Sequence, residues 1–460
     1  MAKQLFGTDG IRGIPGEYPL DDATLERVGF ALGENLVSRG RARDARPRVL
    51  IGRDTRESGP HIAEQIAQGL CSSGAEPVSA GVLPTPGVAW LVSREGFAAG
   101  VVISASHNPY HDNGVKLISS SGMKFPDAVE AEIEGVILSA NGTGPVKGGK
   151  PAKSAIPAAD ANGNGKLHED YLAGLREAIL PGAKLTGMKI VLDCANGAAS
   201  KLAPKLFRSL GANVTALNDA PDGRNINADC GSLHPQAMQK RVAETSASLG
   251  VAFDGDADRA IFANASGKLV DGDGVLLAAG RYLKSIGKLK GNVIVGTTMA
   301  NLGLERALEK SALTLARTAV GDRYVLEEMR RIGANLGGEQ SGHILFLDDA
   351  TTGDGMLTAV KIASLVSIAG PLDMLVADMK VFPQKIVNVQ VRSKPPLESL
   401  PEVARTLKEA ECALGKSGRV VLRYSGTEPL ARVMVEAERA EDVQRWTEAL
   451  AAALRAAVGA

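Results

Sequence analysis

The sequence predicts an α/β protein of several domains, and two observations carry this prediction. Short apolar runs typical of buried strands, such as residues 48–52 and 189–193, alternate with segments that have helical spacing, such as residues 59–73. Strand–helix–strand alternation is typical of right-handed βαβ units on a parallel sheet. A chain of 460 residues also exceeds what one hydrophobic core usually holds, so we expect roughly three or four domains.

The predicted elements divide the chain into successive parts. A stretch rich in Gly, Lys, Pro, Ala and Asn at 141–165 indicates the first boundary. In the second part a helix is predicted over 235–249, directly before a short strand. The last part is smaller, with a strand, a helix, a hairpin and a final helix. We place the domains at 1–155, 156–254, 255–370 and 371–460.

Composition and charge exclude several classes of protein. Hydrophobic residues make up 44% and charged residues 23% of the chain, as in an ordinary globular protein. Lys plus Arg and Asp plus Glu are equal at 52 each, so no overall field favours nucleic acid or an anionic membrane. The cysteines have no disulfide or metal-ligand spacing, and neither a secretory signal nor a bilayer-spanning segment is recognisable. We expect a cytoplasmic protein.

Residues 104–109, Ser-Ala-Ser-His-Asn-Pro, directly follow an apolar run at 100–103 that we interpret as a buried strand. Ligands of open α/β sheets bind at the carboxyl edge of the strands, where this loop is expected to lie. Ser106 is predicted to be an exposed hydroxyl beside the His107 imidazole, either a nucleophile with its base or an acceptor of phosphate. An ordinary turn explains the same residue types about equally well.

Three aspartates alternate with small residues at 254–258, between two apolar runs. Asp254, Asp256 and Asp258 would repel each other unless a cation lay between them. An EF-hand does not fit, because the sixth position would be Arg259 rather than Gly. A loop with few carboxylates and an open side suits Mg²⁺ shared with a phosphate. The alternative, a solvated acidic turn, is disfavoured by the apolar flanks.

Three further loops carry polar groups, and each one alone also fits an ordinary turn. Arg12 lies among glycines in residues 6–13, a loop suited to an anion. Residues 337–343 offer groups that hydrogen-bond sugar hydroxyls, and residues 423–429 combine an arginine with two hydroxyls, as in phosphate-binding loops. Lys116 alternates with apolar neighbours in a predicted strand, a pattern that favours a solvated lysine.

Together and in this order, the motifs resemble those of the α-D-phosphohexomutase superfamily over essentially the whole chain. The motifs are FGTDGIRG from Phe6, SASHNP from Ser104, DGDADR from Asp254, GEQSGH from Gly338 and RYSGTEP from Arg423. The resemblance implies three similar α/β domains with mixed or parallel sheets and a smaller C-terminal α+β domain, arranged around a central cleft.

The resemblance also implies roles for individual residues. Ser106 would carry phosphate in the active enzyme and, with Asp254, Asp256 and Asp258, hold one Mg²⁺ per site. The groups implied for acid–base chemistry or charge stabilisation are Arg12, His107, Lys116 and Arg259. The groups implied for substrate binding are Glu339, Ser341 and His343 at the sugar, and Arg423, Ser425, Gly426 and Thr427 at the phosphate that does not react.

The implied reaction interconverts glucosamine 6-phosphate and glucosamine 1-phosphate, and Gln340 is the superfamily's marker for an amino sugar. Phosphate passes from Ser106 to the sugar, giving glucosamine 1,6-bisphosphate as intermediate and activator, and returns to Ser106 from the other end. The product would feed UDP-N-acetylglucosamine and cell-wall synthesis. The implied partner is a small sugar phosphate, with neither nucleic acid nor membrane, and a homodimer is compatible with this function.

Three other interpretations fit some of the same residues. A phosphomannomutase/phosphoglucomutase of the same fold would differ in its substrate alone. A phosphatase would use an aspartate of the 254–259 loop as nucleophile and would release inorganic phosphate without any need for Ser106. A sugar-phosphate-binding or Ca²⁺-stabilised structural module would bind its ligand without turnover.

Overall fold

A computed structural model describes residues 4–7, 10–39, 46–139, 165–425 and 429–460. The chain forms two compact units. The first consists of the residues up to Thr297 together with Thr318–Val376, and the second of Thr298–Arg317 together with Ala377–Ala460. Among the described helices, none has both the length and the apolar composition that crossing a bilayer requires.

The first sheet of the larger unit carries the Ser106 loop. Its strand order is β1-β5-β4-β2-β3; β2 is parallel to β3 and β4, whereas β5 is antiparallel to β4 and β1. All residues of β4 are buried, as expected for a strand covered by helices on both faces of the sheet. The elements are β1 (Ile11–Gly13), α1 (Asp22–Ser38), β2 (Arg48–Arg53), α2 (Gly59–Ser72), β3 (Glu76–Val82), α3 (Thr85–Arg94), β4 (Ala99–Ile103), β5 (Asn113–Ser119) and α4 (Asp127–Leu138).

The second sheet carries the three aspartates. Its order is β10-β9-β8-β6-β7, with β6 parallel to β7 and β8, and with β9 antiparallel to β8 and β10. The elements are α5 (Gly165–Glu177), β6 (Lys189–Asp193), α6 (Leu202–Ser209), β7 (Asn213–Leu217), α7 (Gln236–Thr245), β8 (Leu249–Phe253), β9 (Ala260–Asn264) and β10 (Leu269–Val270).

Two sequence predictions differ from this second sheet. The helix predicted over 235–249 ends at Thr245, where Ser246 takes a left-handed conformation with φ of 50° and caps it. Leu249 is already the first residue of β8. The domain boundary predicted after residue 254 falls inside the sheet, because β9 and β10 continue it to Val270.

The third sheet of the larger unit contains the loop that begins at Gly338. Here β11 is parallel to β13, which forms an antiparallel hairpin with β14. The elements are α8 (Gly272–Ser285), β11 (Val293–Thr297), α10 (Asp322–Ile332), β13 (Leu336–Gly338), β14 (Ile344–Phe346), α11 (Gly355–Ala369) and α12 (Leu372–Leu375). The helical spacing of the sequence over 322–332 predicts a helix there, and α10 spans the same residues.

The smaller unit is an α+β fold with an antiparallel sheet in the order β15-β17-β16. Its helices bury a core that includes Trp446 and Leu450 against this sheet. The elements outside the larger unit are α9 (Leu302–Lys310), most of β12 (Thr314–Thr318), β15 (Gln384–Gln390), α13 (Pro401–Leu414), β16 (Gly418–Tyr424), β17 (Leu430–Ala437) and α14 (Ala440–Val458). The predicted α/β class with a smaller α+β last part is confirmed.

Candidate active site

Ser106 lies in the loop after β4, in a left-handed backbone conformation with φ of 52°. Its Oγ donates a hydrogen bond to Asp254 Oδ2 over 2.7 Å. The side chain is only 1% exposed, so the prediction of an exposed hydroxyl is wrong. The reason is that the acidic loop of the second sheet packs directly over the end of β4 and covers the serine.

Two glycines allow the loops to approach this closely. A Cβ on Gly255 would lie 2.6 Å from the Ser106 carbonyl oxygen, and a Cβ on Gly197 would lie 2.3 Å from the Gly255 carbonyl oxygen. The Ala198 N–H donates to that same Gly255 oxygen over 2.8 Å. Three loops therefore meet main chain to main chain beside the serine.

The three aspartates form a buried cluster at the end of β8. One carboxylate oxygen from each of Asp254, Asp256 and Asp258 lies within 4.8 Å of the others. Burial, followed by repulsion from the neighbouring carboxylates, raises the pKa of Asp254 and of Asp258. Asp258 Oδ1 is buried and accepts no hydrogen bond from the described residues. Because the cluster is buried, the interpretation as a solvated acidic turn is wrong, and the donor set fits a hard divalent cation.

Magnesium binding is expected to release protons and to weaken as the pH falls. The ion needs ionised carboxylates, and the raised pKa values of Asp254 and Asp258 mean that acid keeps both protonated in the metal-free protein. Calorimetric titration with MgCl₂ at mildly acidic and mildly alkaline pH, in two buffers of different ionisation enthalpy, measures affinity and proton release. Equal affinity at both pH values would contradict this linkage.

Lys116 is buried against the acid cluster, so the interpretation as a solvated lysine is wrong. Its Nζ lies 3.2 Å from Asp256 Oδ2 and 4.0 Å from Asp258 Oδ2, and its side chain is only 3% exposed. Lys116 pairs with Val102 across the β4–β5 ladder. The alternation of Lys116 with apolar neighbours does not indicate a solvent-exposed face here, because β5 lies between β1 and β4 and six of its seven residues are buried.

His107 and Arg259 complete the surroundings of Ser106. His107 Nδ1 lies 3.3 Å from Ser106 Oγ and 3.2 Å from Arg259 Nη1. Burial, and then the charges of Arg259 and Arg12, lower the pKa of His107 to about 4, so the ring is neutral near pH 7. Although burial lowers the pKa of Arg259, the Asp258 and Asp254 carboxylates raise it above its usual value, which keeps the guanidinium charged.

Arg12 reaches the same loop from β1. Its Nη1 donates to the Ala105 carbonyl oxygen over 3.2 Å, which places this guanidinium beside the Ser106 loop. The structure therefore brings together the residues predicted for phosphoryl transfer, although they come from three separate motifs and, for Lys116, from outside any motif.

The loop after β13 docks on the same site. Ala260, the first residue of β9, donates its N–H to the Gly342 carbonyl oxygen over 3.1 Å. Glu339 accepts hydrogen bonds from the Gly321 N–H at 3.0 Å and from the Ser341 hydroxyl at 3.4 Å. The stretch is the turn of an antiparallel hairpin, because β13 and β14 flank it.

His343 lies in the wall of a cavity of about 320 Å³ that Lys116 and Asp258 also line. The ring is 3% exposed, and neither of its nitrogens has a hydrogen-bond partner among the described residues. Gly353 packs against it, because a Cβ there would lie 2.4 Å from His343 Nε2. The imidazole is therefore held in place by packing.

The predicted phosphate-binding residues of the last part lie in the smaller unit. Arg423 on β16 pairs in register with Arg432 on β17, and burial together with that second guanidinium lowers the pKa of Arg423. Lys394 Nζ donates to the Ser425 carbonyl oxygen over 2.6 Å. This hairpin therefore carries a concentration of positive charge suited to an anion. Gly426 and Thr427 lie outside the described residues.

Sequence reasoning missed one side chain that touches the acid cluster. Thr85, the first residue of α3, donates its hydroxyl to Asp256 Oδ2 over 2.7 Å, and its N–H donates to the Asp256 carbonyl oxygen over 3.1 Å. The order of the elements contained a signal for this residue. Thr85 follows β3, and β3 ends at the same edge of the sheet as β4, which precedes the Ser106 loop, because both strands are parallel to β2.

Sequence profiles of the phosphoglucomutase/phosphomannomutase family match successive stretches of the chain. They cover alpha/beta/alpha domain I at 3–142, domain II at 169–267, domain III at 271–382 and the C-terminal domain at 386–453. A phosphoglucomutase/phosphomannomutase family protein from Burkholderia thailandensis has the same fold, with a TM-score of 0.76 and 22% identity over 98% of this chain and 97% of that one. The chain is therefore a phosphohexomutase, an isomerase that transfers a phosphoryl group within a hexose.

Similarity to curated proteins narrows this class. Phosphoglucosamine mutase of Solibacter usitatus (strain Ellin6076) is 50% identical over 460 residues, which cover 100% of both chains. Phosphoglucosamine mutase of Koribacter versatilis (strain Ellin345) is 49% identical over 470 residues, 99% of this chain and 98% of that protein. The chain belongs to the phosphoglucosamine mutase family. Membership of an isomerase family excludes the phosphatase and the non-catalytic interpretations.

A solved structure of a fungal enzyme has the same fold with ligands bound. The N-acetylphosphoglucosamine mutase of Aspergillus fumigatus, in complex with GlcNAc-6P and magnesium, has a TM-score of 0.60 and 18% identity over 99% of this chain and 96% of that one.

Proposed function

We propose that this chain interconverts glucosamine 6-phosphate and glucosamine 1-phosphate through a phosphoryl group carried on Ser106. The supporting observation is the 2.7 Å contact between Ser106 Oγ, after a strand of the first sheet, and Asp254 Oδ2, after a strand of the second. A hydroxyl between buried acids and fixed cations is suited to hold and transfer a phosphoryl group, because phosphoryl transfer depends mainly on positioning and charge stabilisation.

Each transfer exchanges one P–O bond for another. First, O1 of the 6-phosphosugar bonds to phosphorus as the P–Oγ bond of phosphoserine breaks. After the bisphosphate turns end for end, Ser106 Oγ bonds to the phosphorus of the 6-phosphate as its bond to O6 breaks. In the first transfer the O1 hydroxyl loses its proton and Oγ gains one, and in the second the Ser106 hydroxyl loses its proton and O6 gains one. For the Ser106 proton, Asp254 Oδ2 and His107 Nδ1, at 2.7 and 3.3 Å, are the acceptors in reach. Oγ already donates to Asp254, whereas His107 Nδ1 also faces Arg259 Nη1 at 3.2 Å.

The charges of the site match the charge of the groups that react. Phosphoserine and the sugar phosphate each carry about −1.5 to −2 charges near neutral pH. Lys116 beside the acid cluster, Arg259 beside His107 and Arg12 on the Ser106 loop offset this repulsion. Because these side chains are fixed by packing and hydrogen bonds, they need little reorganisation when the phosphoryl group moves.

We assign one Mg²⁺ to the carboxylates of Asp254, Asp256 and Asp258 together with an oxygen of the phosphorylated Ser106. The ion would supply positive charge to the phosphoryl oxygens. Two complexes of the Aspergillus fumigatus enzyme support this assignment and a bisphosphate intermediate: one contains GlcNAc-6P and magnesium, and one of a variant contains glucose 1,6-bisphosphate.

The remaining predicted residues bind the substrate. Glu339 and Ser341, with His343 close to the acid loop, contact the sugar hydroxyls or the amine. Arg423 and Ser425, with Gly426 and Thr427, hold the phosphate that does not react. Because the sugar presents a phosphate at either end in turn, one phosphate-binding loop serves both orientations.

This activity would supply glucosamine 1-phosphate for UDP-N-acetylglucosamine and so for cell-wall synthesis. We place it in the cytoplasm. All four described cysteines are free thiols, which supports a reducing compartment.

Glucosamine 6-phosphate is expected to be used with kcat/KM at least ~10-fold above glucose 6-phosphate and mannose 6-phosphate. The reason is that the amine needs an acceptor, which the Glu339 carboxylate and the Gln340 amide provide. The assay uses purified protein with MgCl₂ and catalytic glucosamine 1,6-bisphosphate, and measures the 1-phosphate formed from each sugar. A preference for mannose 6-phosphate would instead identify a phosphomannomutase/phosphoglucomutase.

A further inference from the structure

The turn after β2 carries a buried ion pair that the reaction itself does not use. Asp54 is 1% and Arg56 0% exposed. Arg56 Nη1 donates a hydrogen bond to Asp54 Oδ2, and the backbone N–H of Arg56 donates to Asp54 Oδ1 over 2.9 Å. A buried ion pair adds little net stability, because desolvation offsets the attraction between the charges. A role other than stability is therefore the better explanation for its presence.

The other arm of the guanidinium holds the Ser106 loop on both sides of His107. Arg56 Nη2 donates to the Ser106 carbonyl oxygen over 3.2 Å and to the Asn108 carbonyl oxygen over 2.6 Å. Asn227, from the second sheet's part of the unit, donates its side-chain amide to the same two oxygens, over 2.9 and 3.0 Å.

Asp54 holds the amino side of the same loop through Ser104. The Ser104 hydroxyl donates to Asp54 Oδ2 over 2.5 Å and accepts the Ser106 N–H over 2.9 Å. Both peptide groups that flank Ser106 are therefore tied, directly or through one hydroxyl, to the Asp54–Arg56 pair. Neither member of the pair is bonded to Ser106 Oγ.

These bonds act on a residue whose backbone is strained. A left-handed conformation of a non-glycine residue is strained and persists only when its surroundings hold it. The φ of Ser106 is 52°. If the peptide relaxed, Oγ would move away from the acid loop, and a displacement of about 1 Å at a reacting atom can cost ~10²-fold in rate.

We propose that Asp54 and Arg56 are positioning residues of the mutase: they hold the Ser106 peptide in its left-handed conformation and so aim Oγ at the phosphoryl group. This inference rests on the proposed role of Ser106. It requires the rate of phosphoryl transfer to depend on the pair while substrate binding does not.

The test uses Arg56→Lys, Asp54→Asn and Ser104→Ala in the full chain. Lysine keeps the charge of Arg56 but carries its donors on one nitrogen, so it cannot reproduce the planar guanidinium whose Nη1 binds Asp54 while Nη2 binds the two carbonyl oxygens. We expect kcat to fall ~10²-fold in Arg56→Lys, with KM for the sugar phosphate within about threefold of the unsubstituted protein. The matched control is Arg224→Lys, because Arg224 pairs with Glu57 on the surface next to the same turn and should keep full activity.

A second readout separates this inference from the identity of the substrate. Dephosphorylated protein is mixed with a hexose 1,6-bisphosphate and MgCl₂, and intact-mass spectrometry monitors phosphorylation of Ser106. The positioning role predicts the same ~10²-fold slowing in the variants, whichever sugar the enzyme prefers in turnover. Failure of the unsubstituted protein to use glucosamine 6-phosphate, with this slowing intact, would refute the proposed substrate but not the positioning role.

Thermal unfolding of each variant distinguishes positioning from support of the fold. A folded Arg56→Lys protein that phosphorylates Ser106 within twofold of the unsubstituted rate overturns the proposal. A fall in the phosphorylation rate of Arg224→Lys as large as the one expected for Arg56→Lys also overturns it. If Arg56→Lys and Asp54→Asn do not fold, the test is the phosphorylation rate of Ser104→Ala, and a rate within twofold of that of the unsubstituted protein overturns the proposal. This variant removes only one hydroxyl from the hydrogen bonds that link Asp54 to the Ser106 N–H.

Discussion

Ser106→Ala is expected to lower kcat by at least ~10⁴-fold while the protein stays folded. The substitution removes the atom that accepts the phosphoryl group. Alanine has the same Cβ as serine and meets the same backbone conformation, so the expected loss of stability is about 1 kcal/mol from the missing hydrogen bond. Steady-state kinetics with glucosamine 6-phosphate measure the rate, and intact-mass spectrometry shows whether any phosphoryl group is still acquired.

The control for this prediction is Ser93→Ala. Ser93 lies on α3 of the same unit, is exposed, and donates its hydroxyl to the Trp90 carbonyl oxygen over 2.8 Å. It should retain the activity and the single phosphoryl adduct of the unsubstituted protein. Turnover in Ser106→Ala close to that of this control would refute the nucleophile assignment.

Asp256→Ala is expected to remove the dependence of the rate on magnesium and to lower kcat about 10³-fold. The carboxylate is one of the three that can hold the ion, and it also pairs with Lys116. Breaking a buried pair costs about 3 kcal/mol, so a lower Tm should accompany the loss of rate. Rate measurements over a series of MgCl₂ concentrations, made well below that Tm, isolate the effect on the metal.

An exposed aspartate provides the comparison. Asp373 lies in the first turn of α12 and is exposed, so Asp373→Ala should keep the Tm and the magnesium dependence of the unsubstituted protein. If the rate of Asp256→Ala still rose with MgCl₂ as it does in this variant, the acid loop would not be the metal site.

The sequence predicts best those features that depend on the order of elements along the chain. The apolar run before Ser106 and the one before Asp254 are strands, and polar residues after such strands must lie at the carboxyl edge of their sheets. Their chemistry could therefore be predicted without knowledge of how the sheets meet. The same rule applied to the residues after β2 and β3 would have drawn attention to Arg56 and Thr85.

The features that could not be predicted depend on packing between distant parts of the chain. The burial of Ser106 depends on the loop at Asp254, which is 148 residues away in sequence. The prediction of a solvated Lys116 is wrong because alternation of polar and apolar residues shows that the two faces of a strand differ in composition. It does not show that the polar face is exposed to solvent. The helix predicted over 235–249 is wrong at its end because Leu249 continues an apolar pattern that both a helix and a buried strand can satisfy.

The glycine contacts beside Ser106 also bear on how the intermediate turns over. Because Gly197, Gly255 and the Ser106 peptide touch through their main chains, no side chain separates them that could swing aside. The distance between the Ser106 loop and the acid loop is thus set by main-chain contacts and not by side-chain rotamers. We therefore expect the space in which the bisphosphate turns to come from other parts of the protein.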